Sequence, residues 1–135
     1  MSNTKKLLGL DVGSVRIGVA LADMSVRIAI PHDTLTVDGT ELKAIAEEVV
    51  QNDIDTIVVG YPRNQAGEVT DQTATVEAFA DQLKDMAPQI VFQDESLTSV
   101  TAEQRLQARG EAYTKADIDA EAAAIILQDY LESRA

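Results

Sequence analysis

The sequence predicts an α/β fold: a mixed sheet of five strands, three antiparallel and then two parallel, flanked by helices. Three observations carry this. Apolar stretches separated by Gly and polar turns fill the first third of the chain. The hydrophobic period then lengthens to three and four residues, the repeat of a helix face. From there helix-like and strand-like segments alternate to the end, the pattern of an α/β layer structure. With 135 residues, 45% hydrophobic and 25% charged, the chain has the ordinary globular mixture and is expected to form a single domain over 1–135.

The elements follow in order. Lys6 to Asp11 is a mostly apolar first strand; Gly13-Ser14 makes a turn; and Arg16 to Ala22, with Ile17 and Val19, is a second strand. Strands joined by so tight a turn are antiparallel. Arg27 to Val37 supports a third strand, in which Pro31 indicates an edge, because proline cannot donate to a ladder. Leu42, Ile45, Ala46, Val49 and Val50 then mark one stripe of a helix, with Asp38 and Glu41 as its expected cap. Thr56 to Gly60 is a continuous apolar strand, the kind covered on both faces. Val76, Phe79, Ala80 and Leu83 mark a second helix, ended by Pro88, and Ile90 to Phe92 form another buried strand. A third helix begins near Thr98 or Ser99, either of which can cap it. The last, about Lys115 to Glu132, carries Ala122, Ala123, Ile126 and Tyr130 on one face.

Composition excludes several functions. There are no cysteines, so disulfides, thiolate metal sites and cysteine nucleophiles are out. No Gly-x-x-x-x-Gly-Lys loop is present, which removes P-loop nucleotide hydrolysis. The longest apolar run, Ala122 to Leu127, is too short for a bilayer, and no signal segment opens the chain; a cytoplasmic protein without membrane contact is expected. Eleven Lys/Arg against 23 Asp/Glu, a net charge of −12, taken alone argue against a nucleic-acid partner.

The placement of polar residues argues the other way. Ligand crevices of open α/β sheets lie beyond the carboxyl ends of the parallel strands. Asp11 closes the first strand there, the segment Tyr61 to Gly67 follows the fourth, and Gln93 to Ser99 follows the fifth. Asp119 precedes Ala122, Ala123, Ile126 and Tyr130 by 3, 4, 7 and 11 residues, so it shares the face that packs on the sheet near Asp11. An enclosed carboxylate is costly unless paired or cation-bound. Each acid alone has a plain alternative: Asp11 closing the Gly13 turn, Asp94 or Glu95 favouring the third helix, Asp119 as a first-turn acid of the last. Convergence of all three has another explanation, since divalent cations hold such groups and in pairs activate water on phosphodiesters.

Four ordered blocks carry a resemblance. They are Leu10-Asp11-Val12-Gly13-Ser14-Val15-Arg16-Ile17-Gly18-Val19-Ala20, then Val58 to Gly67, then Asp94-Glu95-Ser96-Leu97-Thr98-Ser99, and finally Asp119 to Gln128. Together they span nearly the whole chain and resemble the YqgF/RuvX family. Its members are small RNase H-like proteins described as Holliday junction resolvases and as nucleases that mature the precursor of 16S ribosomal RNA. The resemblance implies an RNase H-like fold and an acidic metal-binding trio, Asp11, Glu95 and Asp119, holding two Mg²⁺ or Mn²⁺ ions. It implies phosphodiester hydrolysis to a 5′-phosphate and a 3′-hydroxyl. Arg16, Arg63 and Asn64 would position the phosphate backbone and Thr98 would orient a carboxylate. Ser96 stands where the family usually has a basic residue, and Tyr61 where leucine is more usual.

The expected substrate is structured RNA, above all the 5′ end of precursor 16S ribosomal RNA, with ribosomal particles as a further expected partner and branched DNA as the alternative substrate. A monomer suffices for the former; a junction resolvase needs two sites and therefore a homodimer. The rival reading is a non-catalytic phosphate- or ribosome-binding module. Asp11-Val12-Gly13 also resembles the phosphate hairpin of actin-like ATPases and sugar kinases, but those enclose a nucleotide between two such domains. His32, the only histidine, is expected to be structural. Arg16, Arg63, Arg105, Arg109 and Lys115 are expected to form a basic rim, with Asp38, Glu41, Glu47, Glu48, Asp53 and Asp55 as a negative back.

Overall fold

The computed structural model describes residues 5–62, 68, 70–95 and 98–134. Its elements are β1 (Lys6–Val12), β2 (Arg16–Asp23), β3 (Ile30–Thr36), α1 (Glu41–Gln51), β4 (Ile54–Pro62), α2 (Asp71–Asp81), β5 (Gln89–Glu95), α3 (Thr98–Arg109) and α4 (Lys115–Ser133). The sheet order is β3-β2-β1-β4-β5. β2 runs antiparallel to β1 and to β3, whereas β4 runs parallel to β1 and to β5.

Strand periodicity sorts the core into two layers. Leu8 and Leu10 of β1, Ile17 and Val19 of β2, and Ile57 and Val59 of β4 face α1 and α2, meeting Ile45, Val49, Val76 and Ala80. Leu7, Ala20 and Val58 face the other way, against Ala123, Ile126, Leu127 and Leu131 of α4. α3 packs on α4 through Ala102, Ala122 and Ile125.

α4 is buried along most of its length, and it can approach so closely because the strands beneath it carry glycine. A Cβ on Gly9 would lie 2.8 Å from the Leu127 Cβ, and one on Gly18 only 1.9 Å from the Asp119 carbonyl oxygen. The helix starts with a reciprocal capping box between Thr114 and Asp117, which satisfies two otherwise orphaned backbone donors. Asp117, not Asp119, is thus the acid that serves the helix start.

Several expected details change. Thr40 occupies the N-cap of α1 without a side-chain cap. Asp38 instead accepts from the Thr40 amide and hydroxyl, while Glu41 accepts from the Asp38 and Gly39 amides, so the motif folds as a loop brace before the helix. Val50 is 80% exposed, one residue past the buried edge of its stripe. α2 ends at Asp81, well before Pro88. The Leu83 amide bonds the Ala80 carbonyl and the Met86 amide that of Leu83, a tighter turn that still buries Leu83. β5 is an edge strand, not a buried one: Phe92 is 44% exposed and lies edge-on to Tyr61 with ring centroids 5.0 Å apart. β3, with Pro31, forms the opposite edge as expected. Among the described residues no helix is long and apolar enough to cross a membrane.

Candidate active site

The same alternation that points Leu7 and Gly9 toward α4 points Asp11 that way, one step beyond the apolar run of β1. Asp11 lies opposite Gly18 of β2. Against Gly18 rests the backbone of Asp119, so the glycine is the spacer that sets strand carboxylate and helix carboxylate side by side. Glu95 ends β5 opposite Pro62 of β4. Its carboxylate occupies space that a side chain at residue 60 would contest, since a Cβ on Gly60 would lie 3.1 Å from the Glu95 Oε2. All three acids therefore sit on the α4 side of the sheet, at the carboxyl ends of β1 and β5, where open α/β sheets place their ligands.

Their electrostatics differ. Burial, the negative charges of Glu95 and Asp119, and a hydrogen bond to Glu95 push the Asp11 carboxyl up to about 8. Burial also raises Glu95, against the opposing effect of hydrogen bonds from Thr98 and Asp11. Burial thus opposes ionisation of both carboxyls, and most strongly that of Asp11, which also faces the charges of the other two. Thr98, itself buried, donates from its hydroxyl to Glu95 Oε2 at 3.2 Å. Asp119 is near enough for Asp11 to feel its charge, but its Oδ2 accepts a hydrogen bond from Arg16 Nε. Among the described residues, no three acidic or histidine side chains are already drawn together as a metal cage. Two neighbouring acids whose ionisation burial opposes nonetheless suit a divalent cation, which binds the deprotonated groups and favours that form; Asp119 can join once it leaves Arg16.

An open cleft of about 290 Å³ adjoins Asp119, lined also by Arg16 and Lys115 with Ser99, Val100, Glu103 and Ile118. The expected basic rim is only partly realised. Arg16 and Lys115 face this cleft, but Arg105 and Arg109 are turned to Glu121, with Arg109 at 2.9 Å and Arg105 at 3.6 Å. Glu121 is only 2% exposed, and a buried carboxylate demands such partners. This cluster was not anticipated, although a lone acid among alanines in a helix buried all round was its signal. Gly18 and Gly60 were also missed as site-shaping residues; a glycine inside an apolar strand marks close approach. His32 bonds Glu48 at 2.6 Å, a structural contact. Arg63, Asn64 and Ser96 lie outside the described residues.

Comparison with known proteins bears on this arrangement. Residues 5–133 match the family described as "RuvX: Holliday junction resolvase". A protein of Chloroflexus aggregans named "Putative pre-16S rRNA nuclease" is 44% identical over 138 residues, covering 98% of this chain and 96% of that protein. One of the same name from Anaeromyxobacter is 38% identical over 135 residues, covering 96% and 98%. Among solved structures, RuvC of Thermus thermophilus matches 96% of this chain and 95% of its own, with a TM-score of 0.57 at 12% identity. RuvC of the same organism in complex with a Holliday junction substrate gives 0.56 at 13%. The fold is RNase H-like.

Proposed function

The chain belongs to the RuvX family, and on that premise we propose that it is a divalent-cation-dependent nuclease that trims the 5′ end of precursor 16S ribosomal RNA. The observation that carries the reading is the convergence of Asp11, Glu95 and Asp119 on the α4 side of the sheet, at the carboxyl ends of β1 and β5. The names of its relatives support an RNA substrate.

In this reading Asp11, Glu95 and Asp119 hold Mg²⁺ or Mn²⁺. When bound, such ions make water nucleophilic at neutral pH and stabilise charge on the departing oxygen. The chain's own groups supply the rest. Asp11, shared between the other two acids, contributes charge where it is most concentrated. Thr98 fixes the Glu95 carboxylate through its hydroxyl. Arg16, with Arg63 and Asn64 of the segment after β4, positions the phosphate backbone, a contact that sets register without reading sequence. Trimming one RNA end needs one such site, so a monomer suffices.

The decisive experiment offers labelled precursor 16S ribosomal RNA and a four-way DNA junction to the protein, free and with ribosomal particles, under Mg²⁺, Mn²⁺ and EDTA. Cleavage of the precursor with either metal, a 5′-phosphate on the product and none of this in EDTA is the expected result. Preferential cleavage of the junction would make the chain a resolvase-like DNA endonuclease. Binding of particles without cleavage of either substrate would make it a non-catalytic module. Melting provides an independent check: Mn²⁺ at about a hundred times its Kd should add roughly 2.7 kcal/mol of stability.

A further inference from the structure

We infer that Arg16 is a built-in stand-in for the metal at Asp119, exchanged for a cation when the site loads and thereby released to grip a phosphate of the nucleic acid. The inference rests on the proposed nuclease reading in that a divalent cation enters at the three acids.

The placement of the two partners supports an exchange between discrete positions. Asp119 is fixed by its own backbone, pressed on Gly18. Arg16 is fixed as the first residue of β2, where its carbonyl accepts from the Gly13 amide at 2.9 Å and the residue pairs with Thr36 of β3. With both backbones held in this way, side-chain rotations alone are enough to separate the closed and open forms of the ion pair. Its two sides are unequally enclosed: the Arg16 side chain is 35% exposed and that of Asp119 20%.

The donors of Arg16 are also only partly used. Nε holds Asp119, and among the described residues neither terminal nitrogen makes a hydrogen bond. A guanidinium carries five N–H donors in a planar fork suited to phosphate, and this one lines the open cleft beside Lys115.

Charge accounts for the coupling. The three acids converge on the α4 side of the sheet, and Arg16 holds the third of them, Asp119. A divalent cation drawn in by Asp11 and Glu95 competes with Arg16 for Asp119. The displaced guanidinium is then a free fork in the wall of the cleft, beside Asp119. Metal loading and capture of a phosphodiester strand therefore reinforce each other, because each favours the state with Arg16 detached.

The test uses Arg16→Gln, Asp119→Asn and the double variant, with thermal melts to establish that each is folded. Calorimetric titration with Mn²⁺ alone should show Arg16→Gln binding about fivefold tighter than wild type, since a partly buried ion pair is removed as competitor. A 5′-phosphorylated single-stranded RNA oligonucleotide in EDTA should bind Asp119→Asn about fivefold tighter than wild type, because Arg16 is freed without metal. The double variant should lose that gain. Equal or weaker Mn²⁺ binding by folded Arg16→Gln, or a gain that survives in the double variant, would overturn the exchange and leave Arg16 a fixed brace. Absence of Mn²⁺ binding by wild type and variant alike would overturn the metal-dependent reading itself, and the exchange with it.

Discussion

Asp11→Asn is expected to lower nuclease turnover on the order of 10³-fold or more, about 4 kcal/mol of barrier, while leaving the fold intact. The amide preserves the shape of the side chain and can donate to Glu95, but it contributes no negative charge. Turnover of a labelled precursor within threefold of wild type, with metal present, would show that Asp11 does not carry the reaction. A second expected result follows from the titration of the metal-free protein. The folded Asp11 carboxyl titrates near 8 and its ordinary value is 3.8. Between those limits the folded chain holds a proton that the unfolded chain has released, so stability falls as pH rises through the window. In EDTA the wild type should melt lower at pH near 9 than at pH near 5. Asp11→Asn, with nothing to titrate at that position, should lose most of this slope and melt above wild type at the alkaline end. A slope unchanged by the substitution would place the responsible group elsewhere.

The largest structural effect is expected from Gly18→Ala. A methyl there would sit 1.9 Å from the Asp119 carbonyl oxygen and 3.0 Å from the Ala120 amide nitrogen. Both obstacles are backbone, so rotamer changes bring no relief. α4 must lift from β2, opening its contacts with Ala20 and Leu7 as well. Overpacking of this kind costs about 3 kcal/mol or more, on the order of 10 °C in melting temperature for a domain of this size. Lifting α4 also carries Asp119 away from Asp11. The variant should therefore lose activity even at temperatures where circular dichroism shows it folded. An Ala variant that melts and cleaves as wild type does would mean that α4 is not seated as closely as this geometry requires.

What could be read in advance depended on the range of the interaction. The period of β1 alone puts Asp11 on the same face as Leu7 and Gly9, and the spacing of Asp119 from Ala122, Ala123 and Ile126 aims it at the sheet. Both inferences needed only local geometry, and the topology then brought the two together. Val50 and Pro88 misled because a hydrophobic stripe does not state where its buried edge lies, and because turns bonded three residues back can replace a helix's last turn. Glu41 did reach back to the backbone ahead of α1, as a capping box requires, but onto Asp38 and Gly39. Least legible were the long-range ion pairs. Nothing near Arg105 or Arg109 reveals that a buried Glu121 will claim them, and nothing near Arg16 names Asp119. Such pairs are decided by how two helices and a strand meet, which is tertiary information.

The turning of arginines toward their own chain has a kinetic consequence. Every described arginine is engaged internally: Arg16 with Asp119, Arg27 with the Leu131 and Arg134 carbonyls, Arg105 and Arg109 with Glu121, and Arg134 over the Tyr130 ring. On a chain whose net charge is −12, little positive charge is left to draw a polyanion from a distance. Diffusional encounter with RNA or DNA is therefore opposed by the far field, and dissolved salt, which screens that repulsion within about 10 Å at 0.1 M, should hasten first contact. Proteins guided to nucleic acid by basic surfaces slow down under the same change. For this one, recognition is a short-range event that begins only after the partners have already met.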